Sequence, residues 1–159
     1  PLASPRRYDM LLFLPASPVS TAACYRRYDA APDPLRADSA RLASALQAGD
    51  FAGVAANVYN ALQRPACELN PEVAAALAAA ASFSPAAHAV TGSGSAVFAL
   101  FESEELCRWA HSRWKGKMCA RVVHTLVPGE RRRGLPNPFV LVQEEPDAEK
   151  RRKDGREKS

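Results

Sequence analysis

A glycine- and serine-rich segment in the second half of the chain is the part of the sequence best suited to hold a ligand. It reads Thr91-Gly92-Ser93-Gly94-Ser95 and is followed by an apolar run. Two glycines flanking a serine let backbone amides approach a ligand without obstruction from Cβ atoms, and a concave set of N–H groups can hold an anionic oxygen. The spacing matches neither G-x-x-x-x-G-K-[ST] nor G-x-G-x-x-G, so a plain hairpin turn remains an alternative interpretation.

The histidines and cysteines are weaker candidates for chemistry. His88, His111 and His124 fall on different predicted elements without an Asp or Cys partner spaced for a triad, so we interpret them as surface or internally satisfied residues. The four cysteines form no C-x-x-C pair and have no His at metal spacing, so we expect reduced thiols and no metal site. Cys24 and Cys119 are predicted to be core residues rather than nucleophiles.

Two tryptophans lie close to basic residues near the end of the predicted domain. Trp109 and Trp114 occur among Arg108, Arg113 and Lys115, an arrangement that could stack on single-stranded nucleic acid. A helix of this kind more often buries its tryptophans and extends its basic groups to solvent, and we favour that interpretation.

The hydrophobic pattern predicts the elements that must position the glycine-rich segment. Residues 8–15 form an apolar run closed by proline, which predicts a buried strand, and a short helix follows from Ser20 or Thr21 to about residue 28. Helices are also predicted after Asp38 or Ser39, after Asp50 and after Asn70. The helix after Asp50 carries an apolar stripe over 51–62 and stops before Pro65. The other predicted elements are strands over 88–91 and 96–101, a helix over 102–114 and a strand over 118–127.

This order of elements predicts the fold class. Strand, helices, strand, strand, helix, strand is typical of an α+β sandwich of the ferredoxin-like kind, with a mainly antiparallel sheet covered on one face by helices. The 159 residues are 47% hydrophobic and 24% charged, which excludes a disordered protein. No apolar run reaches the roughly 18 residues of a membrane helix, which excludes an integral membrane protein of that kind.

The ends of the sequence differ in character from its middle. Residue 1 is proline, and we expect residues 1–7 to be a linker from a missing N-terminal domain and residues 8–128 to be the folded domain. Basic and acidic residues alternate over 129–159, within a net charge of +4, and predict a disordered charged tail rather than a nucleic-acid arm. The opening residues carry no signal-peptide pattern, so a cytoplasmic location is expected.

Four segments resemble conserved motifs of the GHMP kinase superfamily, in the version of the branch that phosphorylates 4-diphosphocytidyl-2-C-methyl-D-erythritol. Residues 90–101 (VTGSGSAVFALF) resemble its third motif, and residues 15–25 (PASPVSTAACY) resemble a segment with proline, a short loop, S-T and an aromatic. Asn60-Ala61-Leu62 resembles an N-D-L-E run, and Pro71-Glu72-Val73 resembles a following P-E-I. Their order and separation agree with that family over residues 8–126.

The resemblance implies the C-terminal domain of an ATP-dependent small-molecule kinase of the non-mevalonate isoprenoid pathway. It implies that Tyr25 stacks on or near the cytosine ring and that Thr21 lines the same pocket. Ordinary helix packing of Tyr25 and a simple N-cap role for Thr21 remain open. The resemblance also implies that the substrate's diphosphate and the transferred phosphoryl face Thr91, Gly92, Ser93, Gly94 and Ser95. Ser95 stands where members of the family have alanine.

The resemblance also implies what these 159 residues lack. The family's N-terminal half holds a lysine, a catalytic aspartate and a glycine- and serine-rich loop for the ATP phosphates, and none has a counterpart here. We therefore expect no catalytic residue in this chain, ATP and Mg²⁺ to be bound mainly by a missing N-terminal kinase domain, and no turnover by the chain alone. Neither nucleic acid nor membrane is an expected partner.

Two alternatives remain open. A GHMP kinase of the homoserine or mevalonate type would share the glycine-rich loop. A nucleic-acid-binding module is less favoured, because Phe98 and Phe101 are an odd number of residues apart and should point to opposite faces of a strand.

Overall fold

The first strand of the fold, Asp9–Leu14, occupies an inner position of an antiparallel sheet and carries apolar residues on both faces. The computed structural model describes residues 4–35 and 37–127. In these residues the strands are β1 (Asp9–Leu14), β2 (Ala87–Val90), β3 (Val97–Phe101) and β4 (Cys119–His124), in the spatial order β2-β3-β1-β4. Every pair is antiparallel, and Leu11 lies opposite both Ala99 and Val122.

Four of the six helices in the described residues begin at polar caps that the sequence predicts. The six helices are α1 (Thr21–Ala30), α2 (Ser39–Ala48), α3 (Phe51–Ala56), α4 (Gln63–Leu69), α5 (Pro71–Ala81) and α6 (Glu104–Arg113). Helix α6 begins at a cap that was not predicted, Ser103, and α4 has no side-chain cap. The side chains of Ser20, Asp38, Asp50, Asn70 and Ser103 each accept a hydrogen bond from an amide of the following helix. These bonds satisfy donors that a helix start leaves without partners.

The α+β class, the antiparallel sheet and the order of the elements are confirmed. The main core lies between one face of the sheet and helices α1, α4, α5 and α6, and it includes the fully buried Leu11, Phe13, Val73 and Ala76. The prediction that helices cover one face needs a correction. Helices α2 and α3 pack on part of the other face, where Ala45 and Val54 form a second core.

Alternation along the strands produces both cores. The side chains of 9, 11 and 13 in β1 share a face with those of 97, 99 and 101 in β3, whereas 10 and 12 share the opposite face with 98 and 100. Phe101 belongs to the main core and Phe98 packs against the second one, which confirms that they point to opposite faces.

The predicted helix over 51–62 is wrong in its extent, because two asparagines divide the segment. Asn57 caps α3, and its Nδ2 donates to the carbonyl of Gly53 at 2.7 Å. The Oδ1 of Asn60 accepts from the amide of Leu62 at 2.9 Å, forming a local turn that competes with helix. Helix α4 then begins at Gln63 and contains Pro65, which is tolerated because a first-turn amide has no partner within the helix.

Two other predictions about individual side chains are also wrong. Cys24 is buried as expected, but Cys119 is exposed because it begins the edge strand β4 on the face away from the main core. Trp114 packs edge-on against Phe13 and donates to the carbonyl of Met118, whereas Trp109 is half exposed.

Some predictions lie wholly or partly outside the described residues. The charged tail over 129–159 is outside them, as are residues 1–3 of the predicted linker. None of the helices in the described ranges is long and apolar enough to cross a membrane.

Candidate functional site

The glycine-rich loop connects β2 to β3 and has a defined backbone conformation. The amide of Thr91 donates to the carbonyl of Ala96 at 2.9 Å, and the amide of Gly94 donates to the carbonyl of Thr91 at 3.0 Å. Gly92 has φ +54° and Gly94 has φ +91°, both in the region that favours glycine. The loop is therefore a turn whose conformation requires its two glycines.

The two glycines have different surroundings. A Cβ added at Gly94 would lie 3.4 Å from both Ala66 and Val19, whereas a Cβ added at Gly92 would meet no atom within 4 Å. Gly94 is therefore the glycine at which the loop backbone packs closely on α4 and on the segment before α1, and Gly92 is on the open side.

Several amides of the glycine-rich loop are free to bind an anion. Within the described residues, the amides of Gly92, Ser93 and Ser95 donate no hydrogen bond to another protein group. Ser93 and Ser95 also carry hydroxyls, and both are partly exposed. Neighbouring amide and hydroxyl donors of this kind can bind phosphate oxygens without a positive side chain.

The start of α1 meets this loop through a pair of hydroxyls. The Oγ1 of Thr21 lies 2.9 Å from the Oγ of Ser93, at hydrogen-bond distance. Ser20, not Thr21, is the N-cap, since its Oγ accepts from the amide of Ala23. The simple N-cap interpretation of Thr21 is therefore wrong, and the first turn of α1 with its positive dipole end lies beside the glycine-rich loop.

Tyr25 lies one turn after Thr21 on the same side of α1. Residues four apart share a helix face, and the side chain of Tyr25 is 53% exposed. Its neighbour Cys24 is fully buried and donates to the carbonyl of Leu62. Tyr25 thus presents an aromatic ring to solvent, and packing into the core does not explain it.

Asn60 is a functional candidate that the sequence did not single out. Its Nδ2 donates to the carbonyl of Val90 at 2.7 Å and to that of Gly92 at 2.8 Å. The Oε1 of Gln63 also accepts from the amide of Val90 at 3.2 Å. The signal was present, because Asn60 begins the segment that resembles the family's N-D-L-E run, but the sequence does not show that its amide holds the glycine-rich loop.

A second loop, residues 15–20 between β1 and α1, is held by the start of α5. The carboxylate of Glu72 accepts from the amides of Ala16 at 2.8 Å and Ser17 at 3.1 Å, and from the Ser17 hydroxyl at 2.8 Å. These hydrogen bonds, led by those from Ser17, lower the pKa of Glu72 below its ordinary value. The Nδ2 of Asn70 donates to the carbonyl of Ser17 at 2.9 Å, so the side chains of Asn70 and Glu72, both at the start of α5, fix this loop.

The remaining sequence candidates lie elsewhere in the fold. His88 is exposed on the edge strand β2, and His111 lies 3.2 Å from the carbonyl of Ala120. The residues described here contain no group of three His, Cys, Asp or Glu side chains that could hold a metal ion. The structure thus brings together α1 and the glycine-rich loop, and the predicted residues of these two elements form one surface.

Comparison with known proteins agrees with this geometry. Residues 42–108 match the family model described as GHMP kinases C terminal. A 4-diphosphocytidyl-2-C-methyl-D-erythritol kinase of Moorella thermoacetica is 37% identical over 107 residues, or 65% of this chain and 38% of that protein. The kinase of the same name from Pelotomaculum thermopropionicum is 31% identical over 106 residues, or 67% of this chain and 37% of that protein. The chain thus spans less than two fifths of the length of these relatives.

Solved structures show the same fold. A 4-(cytidine 5′-diphospho)-2C-methyl-D-erythritol kinase superposes with a TM-score of 0.63 and 25% identity, covering 78% of this chain and 44% of that one. A mevalonate kinase of L. major, solved with R-mevalonate, gives a TM-score of 0.62 at 16% identity, covering 82% of this chain and 46% of that one. A homoserine kinase of Cytophaga hutchinsonii gives 0.56 at 17% identity, covering 79% and 44%. The fold described here is that of a GHMP kinase C-terminal domain.

Proposed function

We propose that this chain is the substrate-binding C-terminal part of an ATP-dependent kinase that phosphorylates a hydroxyl of 4-diphosphocytidyl-2-C-methyl-D-erythritol in the cytoplasm, as a step of the non-mevalonate isoprenoid pathway. The observation that carries the proposal is the contact between Thr21 and Ser93, which joins the first turn of α1 to the glycine-rich loop. The two relatives with that substrate in their names, at 37% and 31% identity, support the choice of substrate.

The two parts of this surface suit the two parts of such a substrate. The exposed ring of Tyr25 can stack on the cytosine base, an interaction of roughly 1 to 3 kcal/mol. The free amides of Gly92, Ser93 and Ser95 can donate to the diphosphate and to the phosphoryl group in transfer. Thr21, between them, lines the path from base to phosphate.

Chemistry would then depend on a partner domain. Phosphoryl transfer is catalysed mainly by positioning and by charge stabilisation. We assign ATP and Mg²⁺ mainly to an N-terminal kinase domain, as the resemblance to the GHMP kinases implies, and hydroxyls and amides for the acceptor to this chain. The role of this chain is to orient the cytidyl substrate, which accepts the phosphoryl group, and to shield its diphosphate from solvent.

Ligand binding by the 159-residue chain tests this proposal. Cytidine 5′-diphosphate should perturb the NMR signals of Tyr25 and of residues 91–95, and Tyr25→Ala should weaken binding roughly tenfold because base stacking is lost. Tyr28→Ala, on the same helix, is a control for general damage to α1, and mevalonate and homoserine are control ligands. Binding of mevalonate or homoserine in place of the cytidine nucleotide would contradict the proposed substrate.

Activity is tested in a chimera. The chain alone, supplied with ATP and the cytidyl substrate, should give no turnover. A fusion in which it replaces the matching C-terminal part of the Moorella thermoacetica relative should phosphorylate the substrate. Turnover by the chain alone would contradict the assignment of catalysis to a partner domain, and a folded but inactive chimera would contradict the proposed activity.

A further inference from the structure

The carboxylate of Glu72, at the start of α5, holds the loop of residues 15–20 that leads into α1. It accepts three hydrogen bonds from Ala16 and Ser17, four or five residues before Thr21. We propose that Glu72 is a positioning residue, which holds the β1–α1 loop so that Thr21 and Tyr25 are placed for the substrate. This inference rests on the proposed function, because it assigns a task to Glu72 in that same site.

The platform that carries Glu72 is rigid. Helix α5 begins with Asn70 as cap and Pro71 at its first position, and the next residue after Glu72, Val73, is fully buried in the main core. Asn70 is itself buried and donates to the carbonyl of Ser17. A loop held at both its amides and its carbonyl by one fixed helix start has little freedom to shift.

An acidic residue at the start of a helix has a general explanation, because a negative charge there is favourable to the helix dipole. Glu105 allows the helix-dipole effect to be separated from the hold on the β1–α1 loop. It occupies the same second position in α6, after the cap Ser103. The pKa of Glu105 is lowered chiefly by a hydrogen bond from the side chain of Ser103, the cap of the same helix, and to a smaller extent by the charge of Arg7. Glu72 instead bonds to a loop more than fifty residues away.

The hydrogen bonds that the carboxylate of Glu72 accepts all come from the β1–α1 loop. In the described ranges, 4–35 and 37–127, its carboxylate oxygens accept only from Ala16 and Ser17, and no ion pair involves it. A glutamine at this position would keep one carbonyl oxygen as an acceptor, whereas alanine would remove all three hydrogen bonds. We therefore expect glutamine to weaken the hold on the loop less than alanine does.

The experiment compares Glu72→Ala, Glu72→Gln and the control Glu105→Gln in the 159-residue chain, with two readouts. Amide hydrogen exchange should show faster exchange at Ala16 and Ser17 in Glu72→Ala, with the signals of Thr21 and Tyr25 broadened and those of β1 and β3 unchanged. Affinity for cytidine 5′-diphosphate should fall roughly tenfold, because a binding group displaced by a fraction of an ångström loses much of its effect. Glu72→Gln should lie between wild type and alanine, and Glu105→Gln should match wild type.

The two readouts keep this proposal separate from the proposed function. Unchanged exchange at Ala16 and Ser17 in Glu72→Ala would overturn the positioning role, and so would unchanged nucleotide affinity in a wild type that binds. If the wild type does not bind cytidine 5′-diphosphate, the proposed function fails, and the exchange at Ala16, Ser17 and Thr21 decides the positioning role by itself. Equal loss of affinity in Glu105→Gln would show a helix-start effect and also overturn it.

Discussion

The two loops that meet at the candidate site are held in place by different chemistry. The glycine-rich loop is fixed by the neutral amide of Asn60, which donates to two carbonyls, and by two glycines at positive φ. The β1–α1 loop is fixed mainly by the charged carboxylate of Glu72, which accepts from amides and a hydroxyl. In the glycine-rich loop Asn60 thus holds carbonyls and three amides are left open, whereas Glu72 holds two amides of the β1–α1 loop.

The difference corresponds to the groups that each loop presents to a ligand. Amides that are not used internally, as in the glycine-rich loop, remain available to an anion. A negative anchor beside those amides would compete with a phosphate for them, whereas a neutral anchor such as Asn60 does not. The β1–α1 loop contributes Thr21 and Tyr25 rather than amides, so a carboxylate can hold its backbone without that competition.

The largest expected effect distinguishes the two glycines within the first of these loops. Gly94→Ala combines a positive φ with a Cβ 3.4 Å from Ala66 and Val19, and we expect it to lower the free energy of unfolding by about 2 to 3 kcal/mol. Gly92→Ala meets no atom within 4 Å and should cost about 1 kcal/mol from its φ alone. Chemical denaturation of both variants measures the difference, and equal losses would show that neither the larger φ of Gly94 nor its contacts add to the loss.

The neutral anchor is tested by Asn60→Ala. It removes two hydrogen bonds to the glycine-rich loop and one within its own turn, and should lower the free energy of unfolding by about 2 kcal/mol. The control is Asn57→Ala, which removes one hydrogen bond, to Gly53, and should cost about 1 kcal/mol. NMR shifts of residues 91–95 should change in the first variant only. A change of equal size in both would show that Asn60 has no specific hold on the loop.

The smallest effect is a difference in response to acid. The pKa of Glu72 is lowered by its hydrogen bonds to the β1–α1 loop, so those bonds favour the ionised form. Their contribution is therefore complete above the ordinary glutamate pKa of 4.5 and is lost as the pH falls through the lowered value. Asn60 does not titrate. Below pH 4.5, the protection factors for amide exchange should first fall at Ala16 and Ser17, and those of the glycine-rich loop should stay unchanged. Simultaneous loss at both loops would contradict the distinction.

Much of the fold could be predicted from the sequence, because caps and apolar periodicity are local signals. Asp38, Asp50 and Asn70 marked the starts of α2, α3 and α5. The boundary between α3 and α4 could not be predicted from the apolar stripe, because it depends on where the side chains of Asn57 and Asn60 find backbone partners. The second layer of helices was missed for a related reason, since the inner strands β1 and β3 are apolar on both faces and periodicity does not say what covers them.

The residues of the candidate site could be predicted from the sequence, but the side chains that hold its loops in place could not. Thr21, Tyr25 and residues 91–95 came from motifs, and the structure places Thr21 against Ser93. Their roles toward a substrate remain a prediction. Asn60 and Glu72 had been noticed only as parts of motifs, because a hydrogen bond to a backbone carbonyl or amide far away in sequence leaves no periodic signal.

The contacts that assemble this surface also make it a property of the whole domain. Thr21 and Ser93 are 72 residues apart, Ala16 and Glu72 are 56 apart, and Asn60 and Val90 are 30 apart. A chain in which only local helices and hairpins have formed therefore has no binding surface. A ligand that binds here binds only the fully folded molecule, and by mass action it should raise the melting temperature of the entire domain rather than order one loop.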